Sequence, residues 1–350
     1  MACPLPPGIY VPVPTFFSPS IPTSKPSLRL PGLNLPLQSK HTLHLARSGI
    51  RGLVLAGSTG EAVHLTRSER KSLISSTRQT LAEAGFEGYP IIAGVAVDSV
   101  EDAVGQLVEA QEAGAQWGMV LVPSYFAAAG RNGNYQKGLV EWFTRVADAS
   151  PIPILIYNYP SVTNNVSVSI STYVTLASNK NIVGCKLSYG DVSVHIQLAS
   201  LGPTHNFHVF SGLGQQLFPI LCGGCHGAID GLAGIFPKSI VHLFNAAWDF
   251  VYKEEEEEEE GGVKVVVERK ARLEYVRNLQ LLVSRAEAFL EAEGTIGIKH
   301  AVGKEIFGGQ GVEDGEFEGR PPLQGGLSDV EYAPWSEGVF VDMRKLEATF

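Results

Sequence analysis

Ile182-Val183-Gly184-Cys185-Lys186-Leu187 is a β-rich run that stays uncharged for four successive residues before a single lysine. A strand that is apolar continuously, rather than at every second position, is buried on both faces, as strands of parallel sheets are. Working outward, seven more runs share this character: Ile9–Pro14, Gly52–Ala56, Pro90–Ala96, Gly118–Val122, Pro153–Tyr157, Phe207–Ser211 and Gly227–Asp230. Amphipathic stretches separate them, of which Thr66–Ala84, Ser99–Ala113, Gln136–Ala149, Ser167–Ala177 and Phe236–Tyr252 read as helices. Successive strands mostly lie about 25 to 40 residues apart, the size of a βαβ unit. Eight such units in a row favour an α/β fold of the closed (β/α)8, or TIM-barrel, type over an open doubly wound sheet.

Two regions break the rhythm. Ser18–Leu37 carries Pro19, Pro22, Pro26, Pro31 and Pro36, which confines the first helix to Pro36–Arg47. Glu254–Gly262 opens with seven consecutive glutamates and reads as a solvated linker loop. The expected organisation is therefore a barrel over 1–252, an acidic loop over 253–262 and a C-terminal helical appendage over 263–350, with a Gly- and acid-rich interruption at Gly308–Gly326.

Composition sets outer limits. With 44% hydrophobic and 18% charged residues, the chain has the make-up of a globular protein with a large core. Its net charge of −9 is concentrated in Glu254–Glu260, so the charge gives no reason to expect nucleic acid or an anionic membrane as partner. Four cysteines are too few for a disulfide scaffold. No stretch is long and apolar enough to span a bilayer, and Met1–Pro7 lacks the features of a signal peptide, so a cytoplasmic location is the expectation.

Barrel chemistry sits at the C-terminal ends of the strands. Lys186 ends an otherwise uncharged strand. There it is either a desolvated amine, with a lowered pKa and nucleophilic towards carbonyls, or a lysine snorkelling to the barrel mouth. Tyr157 ends the preceding strand. Adjacent parallel strands lie roughly 4.8 Å apart, so phenol and amine can converge on one small substrate. The tyrosine then either carries protons or wedges the core. Gly57-Ser58-Thr59-Gly60 precedes a helix and reads either as an anion-binding nest or as a plain tight turn.

These segments together resemble the dihydrodipicolinate synthase / N-acetylneuraminate lyase family of Schiff-base barrels. The matching pieces are Gly57-Ser58-Thr59-Gly60-Glu61, Tyr157-Asn158-Tyr159-Pro160 and Gly184-Cys185-Lys186, in the family's order. Ser211-Gly212 and Gly223-Gly224-Cys225-His226-Gly227-Ala228-Ile229 match more weakly. The resemblance spans Gly8 to about Leu323; the proline-rich loop and the glutamate run are departures. It implies that Lys186 forms an imine with a 2-oxo acid, that Tyr157 shuttles protons, and that Ser58 and Thr59, on the Gly57 turn, hold the substrate carboxylate. Ser211, Gly212 and Ile229 would line the pocket. Tyr125 would match a family tyrosine that completes a proton relay across a subunit contact. A homodimer or homotetramer, and no cofactor, are implied as well.

The family's synthases place an arginine five residues after the shuttle tyrosine to hold a second carboxylate; here that residue is Val162. An aliphatic side chain makes no such contact. Gly57–Thr66 resembles the eukaryotic branch that holds 4-hydroxy-2-oxoglutarate aldolase and fungal 2-keto-3-deoxy-L-galactonate aldolases. The implied activity is retro-aldol cleavage of a 2-keto-3-deoxy sugar acid to pyruvate and an aldehyde. The alternatives are 4-hydroxy-2-oxoglutarate cleavage, a dihydrodipicolinate-type condensation, or a catalytically silent barrel that binds a metabolite.

Other motifs compete weakly. Cys222-Gly223-Gly224-Cys225-His226 spells a haem-attachment pattern, yet it falls where small residues suit packing into the last strand, and zinc would need two further ligands. No metal is therefore expected, although a redox-sensitive thiol pair stays open. His64 lies beside the Gly57 turn and reads as a surface or supporting histidine rather than a substrate contact. Glu61 reads as a structural acid, and Lys299 as a poor nucleophile in the helical appendage.

Overall fold

The computed structural model describes residues 3–18, 31–127, 134–253, 263–310, 315–323 and 325–350. The glutamate run lies outside the described residues, as does most of the proline-rich loop. In chain order the main elements are β1 (Gly8–Pro12), α1 (Leu35–Arg47), β2 (Gly52–Leu55), α2 (Arg67–Glu83), β3 (Ile91–Val95), α3 (Val100–Glu112), β4 (Trp117–Leu121) and α4 (Asn134–Ala149). They continue with β5 (Ile154–Asn158), α5 (Ile170–Ala177), β6 (Ile182–Leu187), α6 (Val192–Ala199), α7 (Gly202–His205), β7 (His208–Ser211), α8 (Leu217–Cys222), β8 (Gly227–Ile229) and α9 (Pro237–Tyr252). The C-terminal helices are α10 (Val263–Glu305), α11 (Asp329–Ser336) and α12 (Val339–Glu347). Each strand pairs in parallel with the next, and β8 closes on β1. The chain is thus a (β/α)8 barrel with C-terminal helices, as the eight apolar runs foretell.

The local chemistry explains the boundaries. Thr66 caps α2 in a reciprocal capping box with Glu69, while Ser99, Ser169 and Asp191 cap α3, α5 and α6. Asn34 caps α1, with Pro36 in its first turn. The continuous apolar runs arise because the two strand faces enter different cores. On β5, Ile154 and Ile156 pack outward under the helices, whereas Leu155 and Tyr157 point inward. On β6, Cys185 and Leu187 pack outward. Strand alternation then turns Lys186 into the barrel.

The C-terminal helices share the barrel's apolar shell rather than forming a core of their own. Val283, Ala286 and Phe289 of α10, with Phe340 and Met343 of α12, belong to the same cluster as Val11, Phe236 and Leu243. α10 bends at Gly294, where φ is 57° and ψ is −147°. Sequence reading did not delimit α6 or α8. Both are short, at 8 and 6 residues.

Candidate active site

The register of β5 on β6 sets Tyr157 directly opposite Lys186. The Lys186 ammonium lies 4.7 Å from the centre of the Tyr157 ring. Lys186 is only 4% exposed, and burial brings its amine down from 10.5 to about 8, with Asp230 acting in the other direction. Burial also raises the Tyr157 phenol, against which hydrogen bonds from Ser58 and Ser188 act. The Ser58 hydroxyl lies 3.4 Å from the Tyr157 hydroxyl.

Gly212 makes the approach possible. A Cβ on it would fall 2.0 Å from Ser188 Oγ and 2.9 Å from Lys186 Cε, so any side chain there would displace the lysine. The Gly57–Glu61 turn carries strain at both edges, with Ala56 at φ 52° and Glu61 at φ 55°. Glu61 is fully buried and anchors that turn. Its carboxylate accepts from Lys299 Nζ at 2.7 Å, from the Arg320 backbone N–H at 3.0 Å, and pairs with His64 Nδ1 at 3.0 Å. Arg320 also bridges to Glu69. Glu61 and Lys299 are therefore structural, tying the C-terminal region to the turn that carries Ser58 and Thr59.

These strand ends open into one cleft. Lys186, Tyr157, Tyr159, Ser58, Thr59, Ser188, Gly212 and Ile229 line its barrel side. α10 forms the opposite wall with Glu287, Leu290, Glu291, Thr295 and Ile298. Sequence reasoning missed this wall and gave Ser188 no role. Ser188, two residues beyond Lys186 on the same strand end, was within reach of the strand-end rule; the α10 residues, about 100 positions further on, had no local signal.

Other anticipated residues sit elsewhere. Gly57 is in the turn backbone, its carbonyl accepting from Ala62. The Ser211 hydroxyl is spent on Gln216 and the Leu213 backbone. Tyr125 is 75% exposed, packs edge-on against Phe126, and does not line the cleft within a single chain. Val162 is exposed on a short 3-10 turn outside the lining. Cys222 is exposed at the end of α8, whereas Cys225 is buried and its thiol is pushed up to about 12. His226 stacks on His208, with ring centres 3.7 Å apart.

The model of the dihydrodipicolinate synthetase family matches residues 34–259, well over half of the chain. The chain belongs to that family. Among relatives of this family member, an L-threo-3-deoxy-hexylosonate aldolase from Aspergillus niger is 36% identical over 264 residues, covering 69% of this chain and 75% of that protein. A protein from Emericella nidulans named "Probable 4-hydroxy-2-oxoglutarate aldolase, mitochondrial" is 32% identical over 300 residues, covering 85% of each. A crystal structure of a dihydrodipicolinate synthase family protein from Coccidioides immitis superposes with a TM-score of 0.75 at 27% identity, covering 99% of this chain and 98% of that one.

Proposed function

We propose that the chain is a class I aldolase that cleaves a 2-keto-3-deoxy sugar acid, L-threo-3-deoxy-hexulosonate (2-keto-3-deoxy-L-galactonate), to pyruvate and L-glyceraldehyde. The observation that carries this reading is the charge of the cleft. Among the described residues that line it, Lys186 is the only cation, and the far wall presents Glu287 and Glu291. Such a wall offers hydrogen-bond partners to a neutral polyhydroxylated tail and presents no cation to a second carboxylate. The Aspergillus relative acts on a substrate with that kind of tail by name, and the Emericella relative acts on a dicarboxylate by name.

The chemistry follows from the arrangement. The neutral Lys186 amine attacks the C2 carbonyl to give a carbinolamine, which loses water to form the iminium. Ser58 and Thr59 hold the C1 carboxylate. As the C4 hydroxyl gives up its proton through Tyr157, the C3–C4 bond breaks. Its electrons pass to C3 and neutralise the iminium as an enamine, and the aldehyde leaves. Protonation at C3 and hydrolysis then release pyruvate and regenerate the amine.

A panel of 2-keto-3-deoxy-L-galactonate, its D-gluconate counterpart, 4-hydroxy-2-oxoglutarate and N-acetylneuraminate, scored by pyruvate release, tests the assignment. The first should be preferred; a preference for the dicarboxylate would overturn the substrate but leave the imine chemistry standing. A homodimer or homotetramer remains part of this proposal, supported by the exposed Tyr125–Phe126 pair, and light scattering of the full chain checks it. Among the described residues no helix is long and apolar enough to cross a membrane. Fractionation against mitochondrial markers decides between the cytoplasmic expectation and the compartment in the Emericella relative's name.

A further inference from the structure

Asp230 and Glu287 meet behind the cleft. Asp230 follows β8 and is fully buried; Glu287, on α10, is 2% exposed. Asp230 Oδ2 accepts from the Ala233 N–H at 3.1 Å. Asp230 Oδ1 and Glu287 Oε1 meet no donor. Both carboxyls converge on Gly214, where a Cβ would lie 2.5 Å from Glu287 Oε1 and 3.2 Å from Asp230 Oδ2. They are within hydrogen-bonding reach of one another. Two carboxylates are both pure acceptors, so this contact requires a proton. Two like charges buried side by side cannot both be ionised.

We propose that Asp230 and Glu287 hold one proton between them, so that the pair gives Lys186 a single negative counter-charge and turns a neutral carboxyl of Glu287 towards the substrate tail. The role of the pair towards Lys186 rests on the imine reading above. Lys186 and Asp230 favour each other's charged forms, and Glu291, from α10, adds to the pressure that keeps Glu287 protonated. The proton resides on Glu287 because Lys186 and the Ala233 N–H favour the charged form of Asp230, whereas Glu291 disfavours charge on Glu287. The remaining charge on Asp230 has a function once the imine forms: the iminium at Lys186 is a permanent cation inside the barrel, and Asp230 stabilises it without a direct ion pair that would quench the free amine. Asp230 is thus a positioning and electrostatic residue that acts through Lys186.

Infrared spectroscopy of the intact protein at neutral pH tests the shared proton without turnover. The wild type should show the carbonyl stretch of a buried protonated carboxylic acid, and Glu287→Gln should lose it. No such band in the wild type, or a band that persists in Glu287→Gln, would overturn the proposal. The counter-charge is read from the pH midpoint of borohydride trapping with pyruvate. Asp230→Asn should move that midpoint to lower pH by about one unit, because a missing opposite charge disfavours the ammonium. An unmoved midpoint would overturn the counter-charge. If Asp230→Asn does not fold, the infrared pair of wild type and Glu287→Gln still decides. Absence of any trapping in the wild type would instead refute the imine reading and leave the infrared result standing.

Discussion

Replacing Lys186 with methionine should stabilise the protein while abolishing its chemistry. The side chains are similar in length, but methionine carries no charge into the barrel. Burial brings the lysine amine down from 10.5 to about 8. That difference corresponds to roughly 3 kcal/mol held against the folded ammonium. The unfolded chain binds this proton up to about pH 10.5, whereas the folded chain releases it near 8. The penalty is therefore fully present below pH 8, shrinks as pH rises to 10.5, and vanishes above it. Lys186→Met should exceed the wild type by about 3 kcal/mol at pH 7, which for a chain of this length is about 4 °C in Tm. The advantage should fade as pH is raised towards 10.5. Thermal and denaturant unfolding of both proteins at pH 7 and pH 10 measure this. A variant that is no more stable at pH 7, or a gap that does not narrow with pH, would refute the claim that Lys186 is a desolvated amine.

Two further outcomes follow from the geometry. Gly212→Ala puts a methyl 2.0 Å from Ser188 Oγ and 2.9 Å from Lys186 Cε. It should cost about 1–3 kcal/mol by overpacking and lower kcat by about 100-fold through misplacement of the amine; wild-type kcat would contradict the close approach. Lys299→Met leaves the Glu61 carboxylate buried without its cation. Denaturant unfolding should register a loss of about 3–5 kcal/mol, and unchanged stability would show that this pair does not secure the Gly57–Glu61 turn.

The barrel was legible because both faces of every strand are buried, which writes continuous apolar runs such as Ile182–Leu187 into the sequence. The convergence of Lys186 and Tyr157 was legible too, since parallel neighbours with matched strand ends fall into register. The far wall of the cleft was not. Glu287, Leu290 and Glu291 sit on an ordinary-looking amphipathic helix, and only tertiary packing of α10 against the 3-10 turn at Gly214–Gln216 brings them over the mouth. Asp230 likewise reads as the end of a short strand, and its partner lies 57 residues away on that helix. Val162 pointed to a missing carboxylate anchor, yet it stands outside the lining. The lining instead offers a second carboxylate no cation beyond Lys186, and sequence alone did not bring its α10 wall to the site.

The central claim is that Lys186 is the imine-forming nucleophile. Incubating the full-length protein with pyruvate and borohydride, followed by peptide mass spectrometry, tests it directly. The account predicts one stable reduced pyruvate adduct, on Lys186, that is absent from Lys186→Met. No adduct, or an adduct on another lysine such as Lys299, would contradict it.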